Sequence, residues 1–395
     1  MANPSLSLND TGRIYLDHNA TTAPHKSVLE NLSQWAYQWG NPSSIHWSGR
    51  EPKALIRNAR TSVAKVLNCQ PLELIFTSCG SESNNLVIKG FFDANIDSAR
   101  NEYITTCVEH PSVMKSFDYI LKRGAVVHYV PVSRNGTLDI EFYEKHLSEK
   151  TALVSIMSAN NETGSIFPIT ELAAKARAVG AKFHTDAVQV LGKMPINVES
   201  WGVNYATFAA HKAYSLKGTG LVYARKGEML QSLISGGGQE RGRRAGTENT
   251  LSIAAFGHIA TLLSHDIEMH KNNMTRLRIE MEAEILKRIS GVHFTGDGVD
   301  RLPNTSSFIV DDIDGESLLI NLDMHGVSVS TGAACSSGSS EPSHVLLAMG
   351  LTRAEAQRSL RISIGWCTTS DEIAKFLEIF VEVVAQLRRL RSEMG

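Results

Sequence analysis

Between residues 70 and 225 the chain alternates two kinds of apolar spacing. Short, nearly unbroken apolar runs occur at LELIF (72–76), YITTCV (103–108), AVVHYVPV (125–132), ALVSIMSA (152–159), KFHTD (182–186), YATFAA (205–210) and GLVYAR (220–225). Runs of this length, rich in β-branched and aromatic residues, read as strands buried on both faces. The segments between them have helical character: one helix starts near Ser81, another covers 111–122, and ITELAAKARAVG (169–180) stops at a glycine. This alternation predicts an α/β fold around a mainly parallel, seven-stranded sheet with helices on both faces. A charged helical stretch over about 252–290 reads as a connector. TSSFIVDDI (305–313), a helix near 315–325, SLRISIG (359–365) and an amphipathic helix from Asp371 follow it. They predict a smaller α+β domain joined by the N-terminal arm. The expected division is 13–264 for the large domain and 1–12 plus 265–395 for the small one.

Composition narrows the function class. The chain has 395 residues, enough for one large domain and a smaller partner, and 42% are hydrophobic. A formal net charge of -2 argues against nucleic-acid binding through the whole surface. No basic segment leads into an apolar core at the N-terminus. No run approaches the ~18 apolar residues of a membrane span. A soluble, cytoplasmic protein is expected. The cysteines, Cys69, Cys79, Cys107, Cys335 and Cys367, are an odd, scattered set without a CxxC pair. That predicts neither a disulfide framework nor a metal site. Four lie beside or within apolar or regular segments and read as buried thiols. Cys335 sits in STGAACSSGSSEPS, where glycine and serine oppose helix and strand, so an exposed loop is expected.

In an open parallel sheet, ligands bind beyond the carboxyl ends of the strands. Five of those ends carry polar clusters: TSCGSESNN after 76, EHPSV after 108, NNETG after 159, Asp186 with Gln189 three residues on, and His211–Lys212 after 210. Gly80 and Ser81 at a helix start favour an anion such as phosphate. Asp186 at a buried strand end requires a partner, and a protonated ring nitrogen would be one. Lys212 is suited to a Schiff base with an aldehyde. His110 is suited to lie flat over a ring or to move protons. Phosphate, ring nitrogen, aldehyde and planar face are together the four handles of pyridoxal 5'-phosphate. Lys217, in a glycine-containing turn, is the rival lysine and reads as a surface residue.

The same segments resemble those of the cysteine desulfurases of the class V aminotransferases. The likeness runs through YLDHNATTAP (15–24), GNPSSIHWSGR (40–50), FTSCGSESNN (76–85), HTDAVQ (184–189), AHKAYSLKGTG (210–220), GGGQERGRRAGTEN (236–249), STGAACSSGSSEPSHVLLAMG (330–350) and LRISIG (360–365). The resemblance implies the type I fold of the pyridoxal-phosphate transferases. It implies that Lys212 carries the cofactor and that His110 stacks on its ring and assists proton transfer. Asp186 would pair with the ring nitrogen, while Gln189 and Asn161 would contact the phenolic oxygen and its surroundings. Gly80, Ser81 and His211 would hold the phosphate, and Thr247 would reach the phosphate of the other subunit in a homodimer. Arg361 would clamp the carboxylate of L-cysteine. Cys335 would be the nucleophile that takes its sulfur and hands it, as a persulfide, to acceptor or scaffold proteins of the iron–sulfur type. The pattern departs from the family at Ala209, where a phosphate-binding serine is usual. The competing readings are a selenocysteine lyase, an aminotransferase, and a sulfur carrier without catalysis. The last leaves Lys212, Asp186 and His110 without purpose.

Overall fold

The computed structural model of the protein describes residues 12–96, 98–332 and 341–394. Cys335 therefore lies outside the described residues. All seven sequence runs form one sheet, in the order Leu74–Thr77, Gly220–Ala224, Tyr205–Ala209, Lys182–Asp186, Thr151–Ser155, Glu102–Thr106 and Val126–Val130. Neighbours are parallel except at Gly220–Ala224, which is antiparallel to both strands beside it. The connection 210–219 is too short for a parallel crossover, so the chain turns back on itself there. That turn carries His211 and Lys212, which places both at the sheet edge.

Successive strand residues enter two different cores. Ile75, Tyr103, Leu153, Tyr205 and Val222 pack with Phe91 and Phe117 from the helices Gly80–Ala94 and Pro111–Leu121. Phe76, Ile104, Val154, Ala206 and Leu221 pack on the opposite face with helices Trp47–Leu67, Ile169–Ala178 and the first part of Thr250–Arg288. Period-two side-chain alternation across a sheet covered on both sides produces this division. Helices Trp47–Leu67 and Thr250–Arg288 approach closely enough that a Cβ at Gly257 would lie 2.3 Å from Ala59 Cα.

The second part of the long helix, from Met274 to Ile285, enters a third core with Phe308, Leu322, Ile362, Phe376 and Phe380. Ile14 and Leu16 pack there too. This region holds the antiparallel sheet Ser359–Ser363, Thr305–Val310 and Val292–Phe294, with Ile14–Tyr15 running parallel to Val327–Ser328. Asp17, next along the N-terminal segment, bridges to Ser363, which sets Asp17 to Ala20 between this sheet and the large one. No helix among the described residues is long and apolar enough to cross a membrane.

Candidate active site

A cavity of about 320 Å³ opens at the carboxyl ends of the central strands. Its wall includes Gly80, Ser81, His110, Asn161, Asp186, Gln189, His211, Lys212 and Arg361. Nine residues singled out in the sequence thus meet at one place. Thr247 does not line it and is exposed on the surface. Lys217 is exposed and also stands outside it.

The phosphate-suited end is the start of helix Gly80–Ala94. Cys79 caps this helix, its sulfur accepting from the Glu82 amide, and its carbonyl accepts from the Ser83 amide at 3.0 Å. The amides of Gly80 and Ser81 remain as the free donors of the first turn. A Cβ at Gly80 would lie 3.1 Å from Val188 and 3.5 Å from the Ala209 methyl, so these residues pack tightly behind that end. Ala209 also reaches the cavity wall, where a serine hydroxyl would have been a further donor. His211 bonds Thr21 Oγ1 through Nδ1 at 3.0 Å. Burial, with Lys212 and Lys217 nearby, holds its pKa down at about 4, so near neutral pH it is an uncharged hydrogen-bonding group.

Asp186 is 6% exposed. Its carboxylate accepts from the Asn84 amide at 2.7 Å and from the Val188 N–H at 3.0 Å. Both donors are neutral. Asn84 also donates to Ser112 Oγ at 2.9 Å, and its own oxygen accepts from Thr207. The Thr207 hydroxyl fixes which way the Asn84 amide faces, so its NH2 serves the carboxylate.

His110 is the N-cap of helix Pro111–Leu121, and its Nδ1 accepts from the Ser112 amide at 3.1 Å. An accepting Nδ1 puts the proton of the neutral ring on Nε2. Burial lowers the His110 pKa; Asp186 opposes that, while Lys212 and His344 add to it. Asn84 and Ser112 therefore link the carboxylate to the imidazole in one hydrogen-bonded chain.

Lys212 donates to the carbonyls of Asn19 and Ala20, the second at 2.7 Å. Arg361 is 3% exposed; one Nη pairs with Asp17 at 2.7 Å and the other donates to the Asn161 carbonyl at 3.1 Å. Its Nε is buried without a partner among the described residues.

Several contributors carried no role in the sequence reading. Asp17, Asn19 and Ala20 lie within YLDHNATTAP, and Cys79 and Asn84 within FTSCGSESNN, so the motifs held the signal without the contacts. Ser112 likewise lies within EHPSV, whereas Lys193 had no such signal.

Two carboxyls flank the cavity residues. Glu109 precedes His110 and Glu162 follows Asn161; both are buried, and desolvation raises their pKa values to about 8 and about 7. A raised carboxyl pKa contributes stability that is complete below the unfolded value, near 4.5, and is lost as pH rises through the folded one. Buried His18 and His184, lowered to about 3, act in the opposite sense and weaken the fold as pH drops below 6.5. Glu109→Gln, which copies the neutral form, should be more stable than the parent at pH 8, on the order of 2 kcal/mol. The gain should vanish near pH 4, and denaturant titration at the two pH values reads both. Equal stability at pH 8 would mean that Glu109 ionises without penalty.

Residues 14–376 match the aminotransferase class-V family. The chain is 41% identical over 379 residues to the cysteine desulfurase NifS of Azotobacter vinelandii, covering 95% of this chain and 94% of that protein. Among solved structures it resembles a NifS-like protein with a TM-score of 0.88 at 36% identity, covering 94% of this chain and 99% of the other. It also resembles SspA in complex with cysteine, with a TM-score of 0.78 at 30% identity over 89% and 98% of the two chains. The cavity, the order of the strands that build it and the near full-length match place the chain in the class V aminotransferase family, among the cysteine desulfurases.

Proposed function

We propose that the protein converts L-cysteine to L-alanine, holding pyridoxal 5'-phosphate on Lys212 and taking the sulfur onto Cys335 for an acceptor protein. The observation that carries the reading is the meeting of Lys212, Asp186, His110 and the Gly80 helix start in one cavity. The residues fit the cofactor. A buried carboxylate with only neutral donors suits a protonated ring nitrogen. Unpaired amides at a helix start suit a phosphate. The cavity volume of about 320 Å³ is that of a small-molecule site. When bound, the group supplies an electron sink for the carbon that loses a proton.

The chain's own residues do the remaining work. Lys212 tethers the cofactor and, once displaced by substrate, moves the proton with its Nζ. Asp186 keeps the ring-nitrogen proton in place, and His110 covers the ring with its Nε2–H available as a proton donor. Gly80, Ser81 and His211 hold the phosphate, and Gln189 and Asn161 address the phenolic side. Arg361, oriented by Asp17, receives the substrate carboxylate through its fork. Cys335, as a thiolate, would attack the substrate sulfur: the S–S bond of the persulfide forms as the substrate Cβ–S bond breaks, and that bond's electron pair stays with the carbon fragment, which takes up a proton on the way to alanine.

A homodimer fits the same reading, with Thr247 completing the site of a second copy. Thr247 is exposed, and its loop holds Glu240 and Arg241 at positive φ (46° and 59°), a strained arrangement common at functional sites. Exposed Tyr37, Trp39, Ile45 and Trp47 supply apolar area for such a contact to cover. The cytoplasm, where thiols stay reduced, suits a catalytic cysteine.

The test is incubation of the purified protein with the cofactor, L-cysteine and a reductant. Alanine and sulfide in equal amounts are expected. A keto acid in place of alanine would assign the protein to transamination. Turnover restricted to selenocysteine would assign a lyase. Failure to take up the cofactor would end this reading.

A further inference from the structure

Lys193 is 2% exposed and has no part in the roles described above. Its Nζ donates to Asn19 Oδ1 at 2.7 Å and to Gln189 Oε1. No carboxylate is paired with it among the described residues. Burial pushes its pKa well below the usual lysine value, and Lys212 and Arg361 add to that. A buried ammonium with only neutral acceptors opposes folding, and an unbranched apolar side chain would suit the burial better. Stability therefore does not account for a lysine here.

Its neighbours give a different reason. Lys193 Nζ donates to both Asn19 Oδ1 and Gln189 Oε1, so in either charge state Gln189 turns Oε1 towards it. The Gln189 NH2 edge is then fixed on the opposite side, where Nε2 donates to the Asn19 carbonyl at 3.1 Å and the side chain borders the cavity. The same lysine nitrogen orients the Asn19 amide. Asn19 Oδ1 also accepts from Asn304, while its Nδ2 donates to Thr305 Oγ1 and to the Asn161 carbonyl. The Asn19 carbonyl receives Lys212 as well. Two cavity residues, Gln189 and Lys212, and the backbone of a third, Asn161, thus converge on groups that Lys193 holds.

We propose that Lys193 is a positioning residue that locks the Gln189 amide with its NH2 edge towards the cavity, as a donor to the anionic phenolic oxygen of the cofactor. This rests on the cofactor reading above. Without Lys193 only the Asn19 carbonyl holds the amide, and a turned-over amide would set its own oxygen against that anion. A donor stabilises the anionic oxygen, so the proton shared between it and the Lys212 nitrogen leaves at lower pH.

Lys193→Met tests this through the visible cofactor band rather than turnover. The pH midpoint of the band should rise by roughly one unit, with a melting temperature equal to or above the parent's. Gln189→Ala should show a similar rise, and adding Lys193→Met to it should add little, because both remove one interaction. Lys193→Gln, which keeps an NH2 donor, should fall between parent and Lys193→Met, and it carries the test if Lys193→Met does not fold. An unmoved midpoint in these variants would overturn the proposal. So would a Lys193→Met shift that persists in full beside Gln189→Ala, since that would make the lysine a source of charge only. A parent protein that shows no visible band with added pyridoxal 5'-phosphate would defeat the cofactor reading itself, which separates the two failures.

Discussion

Lys212→Ala is expected to abolish the visible cofactor band and to reduce alanine formation by a factor on the order of 10⁴ or more. Two functions meet in one nitrogen. In the proposed reading Nζ is the covalent anchor of the cofactor and, once displaced, the base for the substrate proton. Alanine supplies neither. The position is not replaceable from nearby, because Lys217 is exposed and outside the cavity. Lys212 is only partly buried and holds two backbone carbonyls of the N-terminal segment, so the variant should still fold. Absorbance, circular dichroism and an alanine assay on one preparation separate these effects. Retention of both colour and turnover would shift the anchor to Lys217, and Lys217→Ala would then lose them.

Cys335→Ser should bind the cofactor and respond spectrally to L-cysteine while releasing no sulfide. Serine preserves size and polarity, but its hydroxyl is not ionised near neutral pH and does not attack divalent sulfur as a thiolate does. The block should fall after substrate binding, so the band changes and then persists. Trapping with an alkylating reagent should find persulfide on the parent protein and none on the variant. Normal sulfide release by Cys335→Ser would remove that residue from the reaction.

The sheet was readable from the chain because its strands are buried on both sides. Each must then be a near-continuous apolar run, and all seven runs appear at their expected places. The antiparallel strand Gly220–Ala224 was not distinguishable by pattern, since a buried strand reads the same in either direction. Its direction follows from the short connection after Ala209. The lysine, histidine and aspartate of the cavity stood out because polar residues ending apolar strands are uncommon. Asn84 and Ser112 looked like ordinary residues of a helix start, and only their shared contacts with Asp186 and His110 give them a role.

Local pattern alone determined the class of fold and the strand ends that carry polar side chains. These properties depend on burial and side-chain type, which are written residue by residue. The tertiary structure decided that Asp17 pairs with Arg361, that Asn19 lines the cavity beside Lys212, and that Lys193 is buried behind Gln189. Those pairings join positions far apart in the chain, and no periodicity records which distant groups packing will bring within a hydrogen bond of each other.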